Sequence, residues 1–292
     1  MASLGPMGLR AIAALFVVLW ATGFIGARFG LPYAESATLL SLRFAGATAV
    51  LAAIALAIGS RWPATWTALG HQALVGIALQ VGYIAGVYAA IEHGVSAGVS
   101  SLVVGLQPVL TALVVGRWFG ERVGARAWCG LLLGLAGVGL VVEDKLGLGE
   151  GTIFAFVLNT GALLAITAAT LYQKRFGAGT DLIAGTAVQY GAATLVIATI
   201  AFAFETVRVT WTATFALTMA WIVLALSVGS VILLFVLIRR GQAARVASLF
   251  YLVPPVTAVM GWWLFDETLS WVALGGMALA VVGVALVNTA KA

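Results

Sequence analysis

Between residues 9 and 289 the chain is almost one continuous apolar ribbon, interrupted by short clusters of charge, glycine or proline. The unbroken runs are about 20 residues long, the length a helix needs to cross a hydrocarbon layer roughly 30 Å thick. Ten can be marked, near 9–28, 34–58, 68–91, 96–117, 125–142, 151–173, 182–204, 211–238, 243–265 and 270–289. They are apolar on every side rather than alternating, which argues against a β-barrel. Only 9% of the 292 residues are charged, where a soluble domain carries about a quarter. The expected fold is therefore an all-α integral membrane protein of ten transmembrane helices, with connections too short for a soluble domain. The formal net charge of +5 then concerns membrane orientation rather than a nucleic-acid partner. Cys129, the one cysteine, has no internal partner for a disulfide.

Basic residues collect on the cytoplasmic side of membrane proteins. Counting alternate loops puts Arg10, Arg61, Arg117, Arg122, Arg126, Lys174, Arg175, Arg239, Arg240, Arg245 and Lys291 on one side, with only Glu121 and Asp181. The other side holds Arg28, Lys145 and Arg208 against Glu35, Glu92, Glu143, Asp144, Glu150, Glu205, Asp266 and Glu267. Both termini are predicted to be cytoplasmic, in a multi-pass protein of the cell's inner (plasma) membrane. A cleaved signal peptide is the rival reading of the first run. The Arg28-Phe29-Gly30 that closes it belongs to a repeat, so it is read as a permanent helix.

The chain matches itself at an offset of 147 residues. Arg28-Phe29-Gly30 falls on Arg175-Phe176-Gly177, the segment 78–83 (ALQVGY) on 225–230 (ALSVGS), Gly94 on Gly241, Ser101-Leu102 on Ser248-Leu249 and Pro108-Val109 on Pro255-Val256. One residue is then lost, and Glu121 meets Glu267, Gly130 meets Gly276 and Gly137 meets Gly283 at an offset of 146. Two five-helix repeats, 1–147 and 148–292, are expected to form one membrane domain. An odd number of helices per half means that the second half enters the membrane from the opposite side. Inverted repeats are a common plan of alternating-access carriers, with the substrate near the midplane, although some channels share it.

Ten helices arranged five plus five, Trp20 in the first followed by a basic residue, Leu42-Arg43-Phe44 in the second, and Pro-x12-Glu closing the fourth and ninth (Pro108 to Glu121, Pro254 to Glu267) carry a resemblance. They make the chain similar to the EamA-type exporters of the drug/metabolite transporter superfamily, over essentially its whole length. Its aromatic content resembles that of the YddG-like aromatic amino-acid exporters. The resemblance implies a carrier exporting amino acids or related metabolites through a central cavity. A proton-coupled multidrug efflux carrier and a passive metabolite channel are the alternatives, and lipid-linked transport or scrambling is a third possibility.

Polar groups at mid-depth are costly unless they pair or face a cavity. Arg43 lies nine residues into its helix, roughly 13 Å deep at 1.5 Å per residue. A central arginine costs about 2.5–3.5 kcal/mol on insertion scales, so it needs carbonyls, water or a ligand. Its guanidinium fork matches a carboxylate; the competing reading is a structural arginine bonded to helix groups or reaching outward. Gln189 and Tyr190 occupy the corresponding depth of the seventh helix. Gln80 and Tyr83 on the third, Gln107 on the fourth, and Ser248 and Tyr251 on the ninth complete the candidate substrate-binding set, with Trp20 and Tyr88 as an aromatic wall. Each of these is equally at home in ordinary helix–helix packing. Together they would form a mostly apolar pocket with a few convergent polar groups. Pro108, Pro254 and Pro255 remove backbone donors and kink their helices, as hinges or as static bends. Gly130-x3-Gly134 and Gly276-x3-Ala280 read as close-contact faces, within the chain or between copies.

Gly94-Val95-Ser96-Ala97-Gly98 fits the hydrolase pattern G-x-S-x-G with His93 beside it, but that motif requires a strand–turn–helix elbow. Here it lies in a turn between membrane helices. Neither a phosphate loop nor a metal-ligand cluster is present in the sequence. The chain is expected not to be an enzyme and to need no cofactor. Its expected partners are a small-molecule substrate and the lipid bilayer, with a monomeric or weakly dimeric state. No acid falls at mid-depth, where a carboxylate proton carrier would have to sit, so facilitated transport down the solute gradient is the expected mode.

Overall fold

The computed structural model describes residues 6–107, 110–111, 114, 124–146, 152–176, 179–230, 232–233, 237, 252–266 and 268–289. Among the described residues ten helices can be given bounds. They are α1 (Pro6–Gly30), α2 (Ser36–Ala57), α3 (Trp66–Glu92), α4 (Ala97–Val104), α5 (Ala125–Leu146), α6 (Ile153–Phe176), α7 (Leu182–Phe204), α8 (Ala213–Gly229), α9 (Val253–Phe265) and α10 (Trp271–Thr289). Among the described residues, α1, α2, α3, α6 and α7 are long and apolar enough to cross a membrane by themselves. The protein is an all-α membrane protein. Leu195, Leu217 and Trp263 are each more than 70% exposed on their helices, a state that water would not tolerate across several helices and that lipid favours. Trp66, Trp211 and Trp271, all exposed, stand at or beside the starts of α3, α8 and α10, where amphipathic indoles sit at a membrane interface.

Side chains from the polar breaks start these helices. Thr65, Ser96, Thr152, Asp181, Thr212 and Ser270 accept hydrogen bonds from the first-turn N–H groups of α3, α4, α6, α7, α8 and α10, at 3.0–3.3 Å. Each satisfies a backbone donor that would otherwise be orphaned. The hydrolase-like motif is explained here: Ser96 caps α4, and His93 stands edge-on to Phe154.

The chain forms two compact units, and each draws elements from both halves of the sequence. The first contains residues 1–25, 93–156 and 233–292, the second residues 26–92 and 157–232. In the first, α10 packs along α5, and α4 packs on α9 and α5. Gly283 lies so close to Gly130 and Gly134 that a Cβ there would collide with backbone, so the small-residue face of α5 is spent on contact within the chain. In the second, α7 packs against α2 and α3. The buried core of this unit includes Leu39, Leu40, Phe44, Leu51, Val75, Ile197, Phe215 and Ile222.

Two helices of the second unit are wound differently over part of their length. Ile77–Ala85 of α3 and Trp221–Gly229 of α8 are π-helical, and they cover all of 78–83 and all but the last residue of 225–230, the two segments that the repeat aligns. Such wide turns are rare and are frequent at functional sites. The α2 helix packs on the π-helical part of α8, and α7 packs on that of α3.

Candidate functional site

The second unit brings together the polar residues of α2, α3, α7 and α8. Arg43 is 3% exposed. Its Nε donates to Ser227 Oγ at 3.1 Å and its Nη1 to Tyr88 Oη at 3.2 Å. The guanidinium carbon also stands 5.9 Å from the ring centroids of both Phe44 and Tyr88, near the outer limit of a cation–π contact. Ser227 in turn donates to the carbonyl of Ile222 five residues back, at 2.9 Å. That spacing belongs to the π-helical turn, so the unusual winding of α8 is what aims the hydroxyl oxygen at Arg43. The Phe44 ring packs against Tyr190 at 5.7 Å.

These contacts explain how an arginine persists at this position. Hydrogen bonds to a charged group contribute about 1.5–3 kcal/mol each, and two of them offset an insertion cost of about 2.5–3.5 kcal/mol. All the partners are neutral. Among the described residues no carboxylate meets the guanidinium, and two of its five N–H donors are engaged. The positive charge is housed but not neutralised.

Gln189 and Tyr190, both buried, have separate surroundings. Gln189 Nε2 donates to Gln72 Oε1 at 2.7 Å, and Gln72 Nε2 donates to Thr180 Oγ1 at 3.3 Å. This amide chain ties α7 to α3 where Gly76 approaches the Gln189 backbone so closely that no Cβ would fit. Gln80 and Tyr83 are buried in the π-helical part of α3, and Gln80 Oε1 has no hydrogen-bond partner among the described residues. Trp20, whose ring is 5.5 Å from that of Phe16, lies in the first unit, as do Gln107, Pro254 and Pro255. Gln107 offers its backbone carbonyl to Thr111 Oγ1 at 2.8 Å. Pro254 and Pro255 occupy the first turn of α9, where a missing N–H costs nothing. Pro108, Ser248 and Tyr251 fall outside the described residues.

Sequence reasoning missed several partners. Ser227 was within reach of it, because the repeat places Ser227 on Gln80. The Gln189–Gln72–Thr180 chain had no signal, nor did the contact of His71 Nδ1 with Tyr172 Oη at 2.6 Å. A further missed arrangement joins the start of α2 to the end of α7. Glu205 accepts from Ala37 N, Thr38 N and Thr38 Oγ1, all at 2.7 Å, while Glu35 accepts from Thr206 N and Oγ1 at 2.7 Å. Ala34 bridges to Val209, and Thr210 N donates to Tyr33 O at 2.8 Å. The Thr206 hydroxyl and then its amide hold the Glu35 carboxyl below the usual glutamate range.

A polytopic helical protein with a housed cationic group between its helices fits a membrane carrier, and comparison with known proteins agrees. The chain belongs to the EamA-like transporter family, whose ten-helix membrane fold it shares; the family model matches twice, over residues 10–143 and 153–289. It is 27% identical to the "Uncharacterized transporter YvbV" of Bacillus subtilis, over 95% of this chain and 90% of that protein. It is also 27% identical to the "Uncharacterized inner membrane transporter YedA" of Escherichia coli K12, over 94% and 90%. A "Probable amino-acid metabolite efflux pump" of Escherichia coli K12 is 25% identical over 93% of this chain and 92% of that one. A crystal structure at 20% identity superimposes with a TM-score of 0.69 over 96% of both chains, a likeness of fold alone. The chain is thus a member of a transporter family within the drug/metabolite transporter superfamily.

Proposed function

We propose that the protein is an alternating-access carrier that exports amino acids, with aromatic and hydrophobic ones favoured, or closely related small metabolites. The observation that carries this reading is Arg43: a buried cation with neutral partners and unspent donors, flanked by the rings of Phe44 and Tyr88. A carboxylate supplies the missing charge and fits the guanidinium fork, and the neighbouring aromatic rings suit an apolar side chain. The name of the Escherichia coli efflux relative supports the same substrate class. Facilitated export is favoured over proton-driven multidrug efflux because, among the described residues, Glu35, Glu92, Asp181, Glu205 and Asp266 all lie at helix ends. We further propose cytoplasmic termini, an inverted second half and no enzymatic activity.

A thermal-shift screen of the purified protein against the amino acids tests the substrate class, followed by the same screen on Arg43→Gln. One or more amino acids are expected to stabilise the wild type. Arg43→Gln is expected to weaken the zwitterion roughly tenfold or more, the loss of one charge-assisted contact, and to leave its decarboxylated amine nearly unchanged. Equal loss for both would return Arg43 to a purely structural role.

A further inference from the structure

We infer that the side-chain carbonyl of Gln80, in the π-helical part of α3, accepts the ammonium group of the substrate. This inference rests on the amino-acid reading above and assigns the opposite end of the same molecule.

The sequence repeat sets the comparison. At the offset of 147, Gln80 corresponds to Ser227 and Arg43 to Tyr190. The packing follows the same correspondence, with α2 on the π-helical part of α8 and α7 on that of α3. In the first pair the serine is satisfied: Ser227 accepts from Arg43 and donates to the Ile222 carbonyl. In the second the glutamine is not. Gln80 is 93% buried, the complement of its 7% exposure, and its Oε1 has no hydrogen-bond partner among the described residues.

Evolution of a duplicated chain can place like groups at both positions, yet here the chemistry is unlike. One helix pair presents a cation and the other an unused neutral acceptor. A zwitterion has two unlike ends, and each position suits one of them. A carboxylate cannot pair with an amide oxygen, because both only accept. An ammonium brings three donors and a charge, and a bond from a charged donor in a water-poor setting is stronger than one from a hydroxyl. A glutamine carbonyl gives that bond without burying a second charge, so the empty carrier keeps no buried carboxylate at this position.

The test uses the full-length protein and three probes: phenylalanine, 3-phenylpropanoate, which lacks the ammonium, and 2-phenylethylamine, which lacks the carboxylate. In Gln80→Leu, affinity for phenylalanine and 2-phenylethylamine is expected to fall roughly tenfold, while that for 3-phenylpropanoate stays within about twofold. Gln80→Glu keeps the acceptor oxygen and the shape, replaces the amide NH2 with a second acceptor, and covers the case in which Gln80→Leu does not fold. It is expected to retain or tighten both ammonium probes and to weaken 3-phenylpropanoate. Phenylalanine binding to the wild type with the same probe ratios in both variants would overturn this inference alone. Loss of the ammonium probes in Gln80→Glu would show that no ammonium lies at this acceptor, and would also overturn it. A wild type that binds none of the three removes the amino-acid reading and this inference with it.

Discussion

At the scale of single residues the molecule solves two charge problems in different ways. Arg43 is buried and is held by a hydroxyl, a phenol and two rings, so its charge is stabilised locally with no counter-ion among the described residues. Glu35 and Glu205 sit at helix ends and exchange partners across the chain, each carboxylate binding the backbone of the other's segment. Glu205 takes the capping place at the start of α2 that Glu35 leaves empty, where a negative charge also meets the favourable end of the helix dipole. Depth made Arg43 legible in the sequence. The carboxylate pair was not legible, since its members are 170 residues apart in unpatterned loops. It carries a pH prediction. Glu35 binds a proton less readily folded than unfolded, so its contribution is fully present above the ordinary glutamate pKa of about 4.3 and is lost as pH falls through the lowered value. Wild type should melt above Glu35→Gln at near-neutral pH, and the gap should close on acidification below about pH 4. A gap unchanged by acid would contradict the assignment.

At the scale of elements, the apolar runs gave helix positions well. The expected 182–204 coincides with α7, and 270–289 differs from α10 by one residue at its start. The expected 96–117 is helical over Ala97–Val104 and then turns at 105–106, while most of its remainder lies outside the described residues. The π-helical stretches could not be foreseen. A helix apolar on all faces has no periodicity from which a change of winding can be read. Close approaches are similarly hidden, because 35 glycines look alike until neighbours are known. A Cβ at Gly76 would meet the backbone of Gln189, whereas one at Gly161 in α6 meets nothing within 4 Å. Gly76→Ala should destabilise by about 1–3 kcal/mol through overpacking. Gly161→Ala should be neutral or stabilising by up to about 1 kcal/mol from helix propensity. Thermal unfolding in detergent separates them, and equal melting temperatures would mean that α3 and α7 are not packed this closely.

At the scale of the whole molecule, the sequence repeat and the packing units divide the chain differently. The family model matches each half, yet each compact unit mixes helices from both. A repeat records ancestry, while a unit records which apolar faces cover one another, and the second cannot be read from an offset. The proposed orientation is tested by single cysteines in a Cys129→Ala background. Arg10→Cys and Lys291→Cys should resist an impermeant label added outside, and Lys145→Cys should react. External labelling of Lys291→Cys would overturn the cytoplasmic C-terminus and the inverted second half.

The proposed carrier has one substrate site, reached alternately from each side. Counterflow in proteoliposomes measures that directly. Vesicles preloaded with an unlabelled amino acid that stabilises the protein should take up the labelled form faster than empty vesicles, with saturation, and without an imposed pH gradient. Uptake that rises linearly with concentration and gains nothing from preloading would show a pore instead. Strict dependence on a pH gradient would show a proton-coupled mechanism in place of the facilitated one proposed.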